Sequence, residues 1–173
     1  MEKLLEKLTS YNLFNYLLPG IIFSVLLETT TNYSIIRKDI MIEAFLAYFI
    51  GLIISRVSSL IVEPCLKKIG FVRFYGYRWF VATEKDNKSL KVLSEVNNMY
   101  RVFISLFFIL IIIILYENCF QDLLSGYINY ILVVGLLILF LFSYRKQTQY
   151  ITKRIKIYKD KTIMEKKKWV NQK

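Results

Sequence analysis

Residues 40–62 read IMIEAFLAYFIGLIISRVSSLIV, and this stretch contains only two charged side chains, Glu43 and Arg56. A helix rises ~1.5 Å per residue, so about 20 residues cross the ~30 Å hydrocarbon layer of a bilayer. The stretch is therefore long and apolar enough to span a membrane. It predicts an integral membrane protein whose fold is set by transmembrane helices.

Further apolar stretches lie on both sides and predict spans at about 13–30, 100–116 and 123–142. Asn15, Pro19 and Gly20 interrupt the first of them, so a kinked or re-entrant segment is the alternative to a full crossing there. The other two are continuous. We therefore predict an all-α membrane protein with four transmembrane helices.

The composition argues against an enzyme or a metal protein. Histidine is absent from the 173 residues, which removes the commonest general base and the commonest metal ligand. Cys65 and Cys119 fall at opposite ends of the predicted topology, so we expect neither a disulfide nor a cysteine metal site. No phosphate-binding loop or nucleophile motif is present. We expect no catalysis and no cofactor, and no cleavable signal peptide, since a small-residue cleavage site is lacking.

Basic residues are distributed unevenly, and the net charge is +11. Segment 63–101 has eight Lys and Arg, segment 117–121 has none, and segment 143–173 has eleven. Cytoplasmic loops collect Lys and Arg. We therefore predict a bacterial inner (plasma) membrane protein with segment 117–121 outside and both termini cytoplasmic.

The same boundaries divide the chain into four regions: an N-terminal membrane hairpin (1–62), a basic and aromatic cytoplasmic loop with a helix (63–101), a C-terminal membrane hairpin (102–142) and a basic cytoplasmic tail (143–173). Apolar residues at spacings of three and four precede the third span and follow the fourth. These spacings predict that both spans continue into the cytoplasm as amphipathic helices.

Small residues recur in the second span at Ala47, Gly51 and Ser55. Residues four apart share one helix face, and small side chains let two helix backbones approach closely in lipid. This stripe predicts a helix–helix contact, either within one protomer or between subunits of a homo-oligomer. The sequence leaves both open.

Three polar residues in the spans are candidates for intramembrane roles: Asn129, Glu43 and Arg56. Glu43 and Arg56 lie near opposite ends of the second span, where long side chains reach the interface cheaply. Asn129 lies deeper, and its amide fits either an interhelical hydrogen bond or a pore lining.

Residues 71–80 read FVRFYGYRWF and follow the second span directly. Rings and basic groups of this kind form an interfacial belt on anionic lipid, or bind a nucleotide messenger through stacking and phosphate contacts. The candidate contacts with lipid or with a cytoplasmic ligand are Arg73, Tyr75, Arg78, Trp79 and Arg101. Arg101 also has acidic residues within reach as partners, either Glu63 or Glu95.

The tail carries nine more positive than negative charges, which predicts binding to anionic headgroups. A cytoplasmic protein or a nucleotide signal is a further partner that the loop and tail allow. We do not expect nucleic acid as the partner, although basic segments can hold it.

Three segments carry a resemblance: LFNYLLPG at 13–20, GLIISR at 51–56 and EVNNMYR at 95–101. They look similar to small bacterial four-helix membrane proteins of the kind found as effectors in anti-phage defence operons, over roughly residues 1–145. The resemblance implies oligomerisation and loss of the membrane barrier after a sensor fires, and it transfers no catalytic residue.

The function that we predict is that of an oligomeric effector that permeabilises the membrane or forms a pore in it. One alternative is a non-conducting scaffold or sensor that recruits a cytoplasmic partner through its basic loop and tail. Another is a small channel or transporter.

Overall fold

The computed structural model describes residues 12–36, 39–86, 88–120 and 127–170. These residues form helices and short connections, with no strand among them. The helices are α1 (Leu13–Thr30), α2 (Ile40–Lys68), α3 (Tyr77–Asp86), α4 (Lys88–Cys119) and α5 (Ile128–Val170). All but α3 are long and apolar enough to cross a membrane. The prediction of an all-α chain with four helices that are long and apolar enough to span a membrane is confirmed for the described residues.

The helix bounds differ in detail from those predicted. Helix α2 continues to Lys68, and α4 runs without a break from Lys88 to Cys119. The predicted start of the fourth span, at 123, lies outside the described residues, and the described helix begins at Ile128. Gly70 ends α2 with a positive φ of 77°, a conformation that glycine adopts at little cost.

Each of the two spans that contain a proline has a π-helical turn, and this turn ends two residues before the proline. The first turn is Leu13–Leu17, ahead of Pro19, and the second is Ser58–Val62, ahead of Pro64. In a regular α-helix the proline ring clashes with the carbonyl four residues earlier. A π turn widens the helix at that place. The interrupted first stretch therefore remains one continuous helix of 18 residues.

The core of the bundle lies between α1, α2 and α4. Its buried residues are Phe23, Leu27, Ile54, Val102, Leu106 and Leu110. Ser105 of α4 is fully buried beside them, and its hydroxyl donates to the carbonyl of Arg101 at 3.1 Å. This bond satisfies the hydroxyl inside its own helix, so a small polar residue can lie in an apolar contact.

The contact between α1 and α2 is made by backbone. A Cβ atom built on Gly51 would lie 1.7 Å from the carbonyl oxygen of Tyr16, and one built on Gly20 would lie 1.7 Å from that of Ala47. No side chain larger than hydrogen fits at either place. The rings of Tyr16 and Tyr48 pack edge to face beside this contact, with centroids 5.5 Å apart.

Helix α5 packs far less than the other spans. In its most apolar 18-residue stretch only 6% is buried within the protomer, against 33% for the corresponding stretches of α1 and α2. In the middle of the spans its described contact is the stacked pair Phe49 and Phe140, with ring centroids 6.4 Å apart. Further polar contacts hold α5 nearer the end of the bundle that contains Glu63. The membrane part of α5 is therefore attached mainly at that end.

The orientation can be tested on the two cysteines, which are both exposed in the fold. We expect a membrane-impermeant maleimide added to intact spheroplasts to label Cys119 and to spare Cys65, because Lys and Arg concentrate on the Cys65 side. Cys65→Ser and Cys119→Ser variants assign the label, and permeabilised cells should show both thiols reactive. Labelling of Cys65 with Cys119 spared would mean that the chain is inserted the other way round.

Candidate functional site

A carboxylate surrounded by cations lies where α2, α4 and α5 meet. Glu63 is 8% exposed, and its carboxylate pairs with Arg101 of α4 and with Lys67 one turn further along α2. Lys146 of α5 lies 4.0 Å from the same carboxylate. We call these four residues the Glu63 cluster. One negative charge is thus shared by three positive charges.

Arg101 connects α4 to α2 through two groups. Its Nη1 donates to Glu63, and its Nε donates to the hydroxyl of Ser58 at 2.9 Å. Ser58 is fully buried and lies at the start of the second π turn. Of the two acidic partners that the sequence allows for Arg101, the structure has Glu63. The guanidinium is therefore held in place from two sides and is only partly open to an external ligand.

Lys146 satisfies a backbone carbonyl that the helix itself leaves without a donor. In the π turn the N–H of Glu63 bonds to the oxygen of Ser58, so it is not available to Ser59. With the same spacing of five residues, the donor to the Ser59 oxygen would be Pro64, which has no N–H. The ammonium of Lys146 donates to the Ser59 oxygen instead. The proline in α2 thus creates the acceptor that ties α5 to α2.

At the other end of the bundle there are fewer polar contacts, and each of them pairs a carboxylate with an uncharged donor. The carboxylate of Glu117, near the end of α4, accepts from the backbone N–H and the side-chain amide of Asn32, both at 2.8 Å. Ser34 donates to Glu28 at 2.9 Å. The bonds to Glu117 connect α4 to the segment between α1 and α2, and the bond to Glu28 ties that segment back to α1. In the described residues they leave α5 without a matching polar contact at this end.

The small-residue stripe lies inside the protomer. Ala47, Gly51 and Ser55 are all buried, and Gly51 and Ala47 face the backbone of α1. Gly20 is the matching small residue on α1. The stripe is thus occupied by a helix of the same chain.

The four candidate contact residues that follow α2 are exposed, and the stretch that contains them adjoins the Glu63 cluster through Phe74. Arg73, Tyr75, Arg78 and Trp79 all face outward. Their neighbours make the contacts: Lys67 lies 4.5 Å from the ring centre of Phe74, and Tyr77 packs against Tyr150 of α5 at 5.6 Å. An ion pair between Arg154 and Glu84 at 3.6 Å adds a link from α5 to α3.

The three intramembrane polar candidates have different settings. Glu43 is half-buried in the first turn of α2, which begins at the capping residue Asp39. Arg56 is half-buried and faces α5 across a small pocket. The side chain of Asn129 lies outside the described part of the structure. The structure does not bring Glu43 and Arg56 together, because α2 separates them by 13 residues.

Lys146, Lys67 and Ser58 were not identified from the sequence as site residues. The spacing of four between Glu63 and Lys67 indicates an ion pair on one helix face. Nothing comparable marks Lys146, because its partners lie 83 to 87 residues earlier in the chain. Within the described residues, no group of acidic or cysteine side chains could hold a metal ion.

Comparison of the chain with protein-family models, with curated proteins and with solved structures finds no match.

Proposed function

We propose that the chain is an oligomeric effector of the bacterial inner membrane, in which a cytoplasmic signal acts on α5 and the spans then permeabilise the bilayer. The observation that carries the proposal is the low burial of α5 in the protomer, 6% of its apolar window. Helices α1, α2 and α4 form the fixed part. Helix α5 is the part that can change its neighbours.

An α5 with this little packing is covered in the membrane by lipid or by a second copy of the chain. Helices associate in lipid where small residues allow close approach and polar groups meet. Gly135 supports association, since a Cβ built on it would meet nothing within 4 Å. Asn129 precedes Gly135 on the same helix and supplies an amide. We therefore propose a homo-oligomer that forms through α5.

The length of α5 suits it to transmit a signal. Its 43 residues form one helix of ~65 Å, about twice the ~30 Å of hydrocarbon. A force on the tail therefore reaches the span without an intervening loop. In this proposal the extensions of α4 and α5 are amphipathic and cytoplasmic, with Ile151, Ile155 and Tyr158 on one side of α5.

An aqueous path would form between copies. The centre of the α1, α2 and α4 bundle is filled by apolar side chains in direct contact, which leaves no room for hydrated ions there. A ring of α5 helices would place Asn129 of each copy around a shared axis. Amides at such a constriction favour hydration over dewetting.

The partners in this proposal are anionic headgroups, other copies of the chain and a cytoplasmic signal. The exposed residues Arg73, Tyr75, Arg78 and Trp79 are the proposed contacts for lipid or for a signalling protein or nucleotide. The proposal contains no catalytic step, no cofactor and no nucleic acid. A place in anti-phage defence, among effectors of similar size, is the biological setting that we propose.

Inducible expression with a membrane-potential dye tests the proposal. We expect depolarisation on expression of the wild type, and a weaker effect from Asn129→Leu at equal protein level, because leucine favours dewetting of the path. Asn118→Leu is the matched control, since Asn118 is exposed and bonds to the carbonyl of Ile114 in its own helix. Purified protein that carries no current in planar bilayers under any trigger would disprove permeabilisation.

A second candidate is a non-conducting scaffold or sensor. The observation that favours it is the continuation of α5 as a helix to Val170, through the basic tail. A scaffold would bind a cytoplasmic partner in a tail-dependent way and leave the membrane potential unchanged. A small channel or transporter, the third candidate, would conduct without a trigger and without growth arrest.

A further inference from the structure

A small polar pocket lies between α2 and α5, next to the Glu63 cluster. Its polar lining consists of Arg56, Ser59, Ser143, Lys146, Gln147 and Tyr150. All six side chains carry hydrogen-bond donors, and none is acidic. Ser143 donates to the carbonyl of Leu139 and Lys146 to that of Ser59, so the donors of the other four are the ones without these backbone acceptors. The pocket is therefore built for an anion or for an acceptor-rich group.

Arg56 is the unexplained residue of this pocket. It is half-buried, and it makes no ion pair or hydrogen bond with the rest of the described chain. A half-buried guanidinium at the membrane interface without a protein partner is stabilised when an anion accompanies it. Glu63, seven residues further along α2, already pairs with Lys67 and Arg101. Arg56 and Lys146 together thus leave positive charge uncompensated at the pocket.

The depth of the pocket matches the headgroup region of a bilayer. Arg56 lies seven residues before Glu63, a distance of ~10 Å along α2. Its long side chain lines the pocket together with Ser59, about one turn further along α2 towards Glu63. On α5 the pocket begins at Ser143, directly after the apolar stretch that ends at Phe142. Helix α5 thus changes from apolar to basic at this level, and α2 does so after Val62.

We propose that this pocket binds the phosphate of an anionic phospholipid, with Arg56 as the bidentate donor and Lys146 as the second positive charge. The enclosed part has a volume of about 20 Å³, which is roughly the room for one water molecule or one phosphate oxygen. The remainder of the headgroup lies at the open rim, beside Gln147 and Tyr150. Planar guanidinium groups match the two oxygens of a phosphate.

An acyl chain has a path next to the pocket, which favours a lipid over free phosphate. Phe49 and Phe140 stack on each other further into the span, on the same two helices, and both remain more than a third exposed. These rings form an apolar strip leading away from the pocket. A bound lipid would thus contact α2 and α5 together, whether or not the protein permeabilises the membrane.

Native mass spectrometry of the full chain in detergent micelles tests the site. The probes are palmitoyl-oleoyl phosphatidylglycerol, the phosphatidylcholine with the same chains, and inorganic phosphate. We expect one phosphatidylglycerol to bind per chain more tightly than phosphatidylcholine, and Arg56→Gln to weaken it about tenfold or more. Arg145→Gln is the matched control, because this substitution removes the same charge from an exposed residue that lies outside the pocket. It should bind as the wild type does.

A second pair of variants changes only exposed positions and so avoids damage to the fold. Gln147→Glu puts a negative charge at the rim and should weaken phosphatidylglycerol binding, whereas Gln149→Glu, two residues away and outside the lining, should not. If the two variants of either pair lose phosphatidylglycerol affinity equally, general charge attraction explains the binding and the proposal is overturned. Displacement of the lipid by millimolar inorganic phosphate would overturn it in favour of a soluble phosphate ligand.

Discussion

Gly51→Leu is expected to separate α1 from α2 and to lower the melting temperature of the detergent-solubilised protein by many degrees. The first atom of the new side chain would lie 1.7 Å from the carbonyl oxygen of Tyr16, which is backbone and has no rotamer to change. The two helices must move apart, and the buried core beside them must open. Overpacking of a well-packed contact costs ~1–3 kcal/mol, and a backbone clash belongs at or above the upper end of that range.

Gly76→Leu is the matched control, because Gly76 is exposed and a Cβ built on it would meet only the ring of Trp79, at an ordinary distance of 3.8 Å. It should melt within a degree or two of the wild type. Thermal unfolding followed by circular dichroism compares the two variants, and Gly20→Ala should resemble Gly51→Leu in kind, since its Cβ meets the Ala47 carbonyl. Equal melting of Gly51→Leu and Gly76→Leu would show that the contact of α1 with α2 is absent from the detergent-solubilised protein.

Glu63→Gln should have the second large effect. The amide is nearly the same size as the carboxylate, so packing is kept while the one negative charge of the Glu63 cluster is lost. Arg101 and Lys146 would then lie partly buried without a counter-charge. Removal of one partner from a buried ion pair costs ~3–5 kcal/mol, and the half-exposed Lys67 can turn to solvent. We expect loss of stability and looser attachment of α5.

The control for this variant is Glu84→Gln, which breaks the surface pair with Arg154. Arg154 is 63% exposed, and surface pairs contribute ~0–1 kcal/mol. The double variant Glu63→Gln, Arg101→Gln should recover part of the lost stability, because it removes one of the stranded charges. If Glu63→Gln melts like Glu84→Gln, the cluster is solvated in the membrane protein and does not hold α5.

The spans could be predicted because lipid imposes a simple condition on sequence. An apolar stretch as long as residues 40–62 must be a helix in a bilayer, since every backbone group needs a partner within the chain. The same reasoning located the other spans. The first span was harder, because Pro19 predicts a break when the helix is assumed to keep its α-helical spacing throughout.

The Glu63 cluster could be predicted only in part, as one of two possible acidic partners of Arg101, and the reason is physical. Its geometry depends on a π turn, and the π turn changes which carbonyl in α2 lacks a donor. Lys146 then fills that gap from a helix more than 80 residues away. The spacing of residues along the chain predicts contacts within one helix, as for Glu63 and Lys67. It does not predict which residues of α2 and α5 lie side by side. For the same reason, the small residues around Gly51 predict a helix contact but do not identify the helix that makes it.

During synthesis, α1 reaches the translocon before α2 has been made. At that stage Asn15 has no helix of its own chain beside it, and a polar side chain in a single helix opposes release into lipid. In the finished fold Asn15 is 2% exposed, in the π turn that packs against α2. The unit that partitions from the translocon is therefore expected to be the hairpin, so α1 waits for α2 and the two enter the bilayer together.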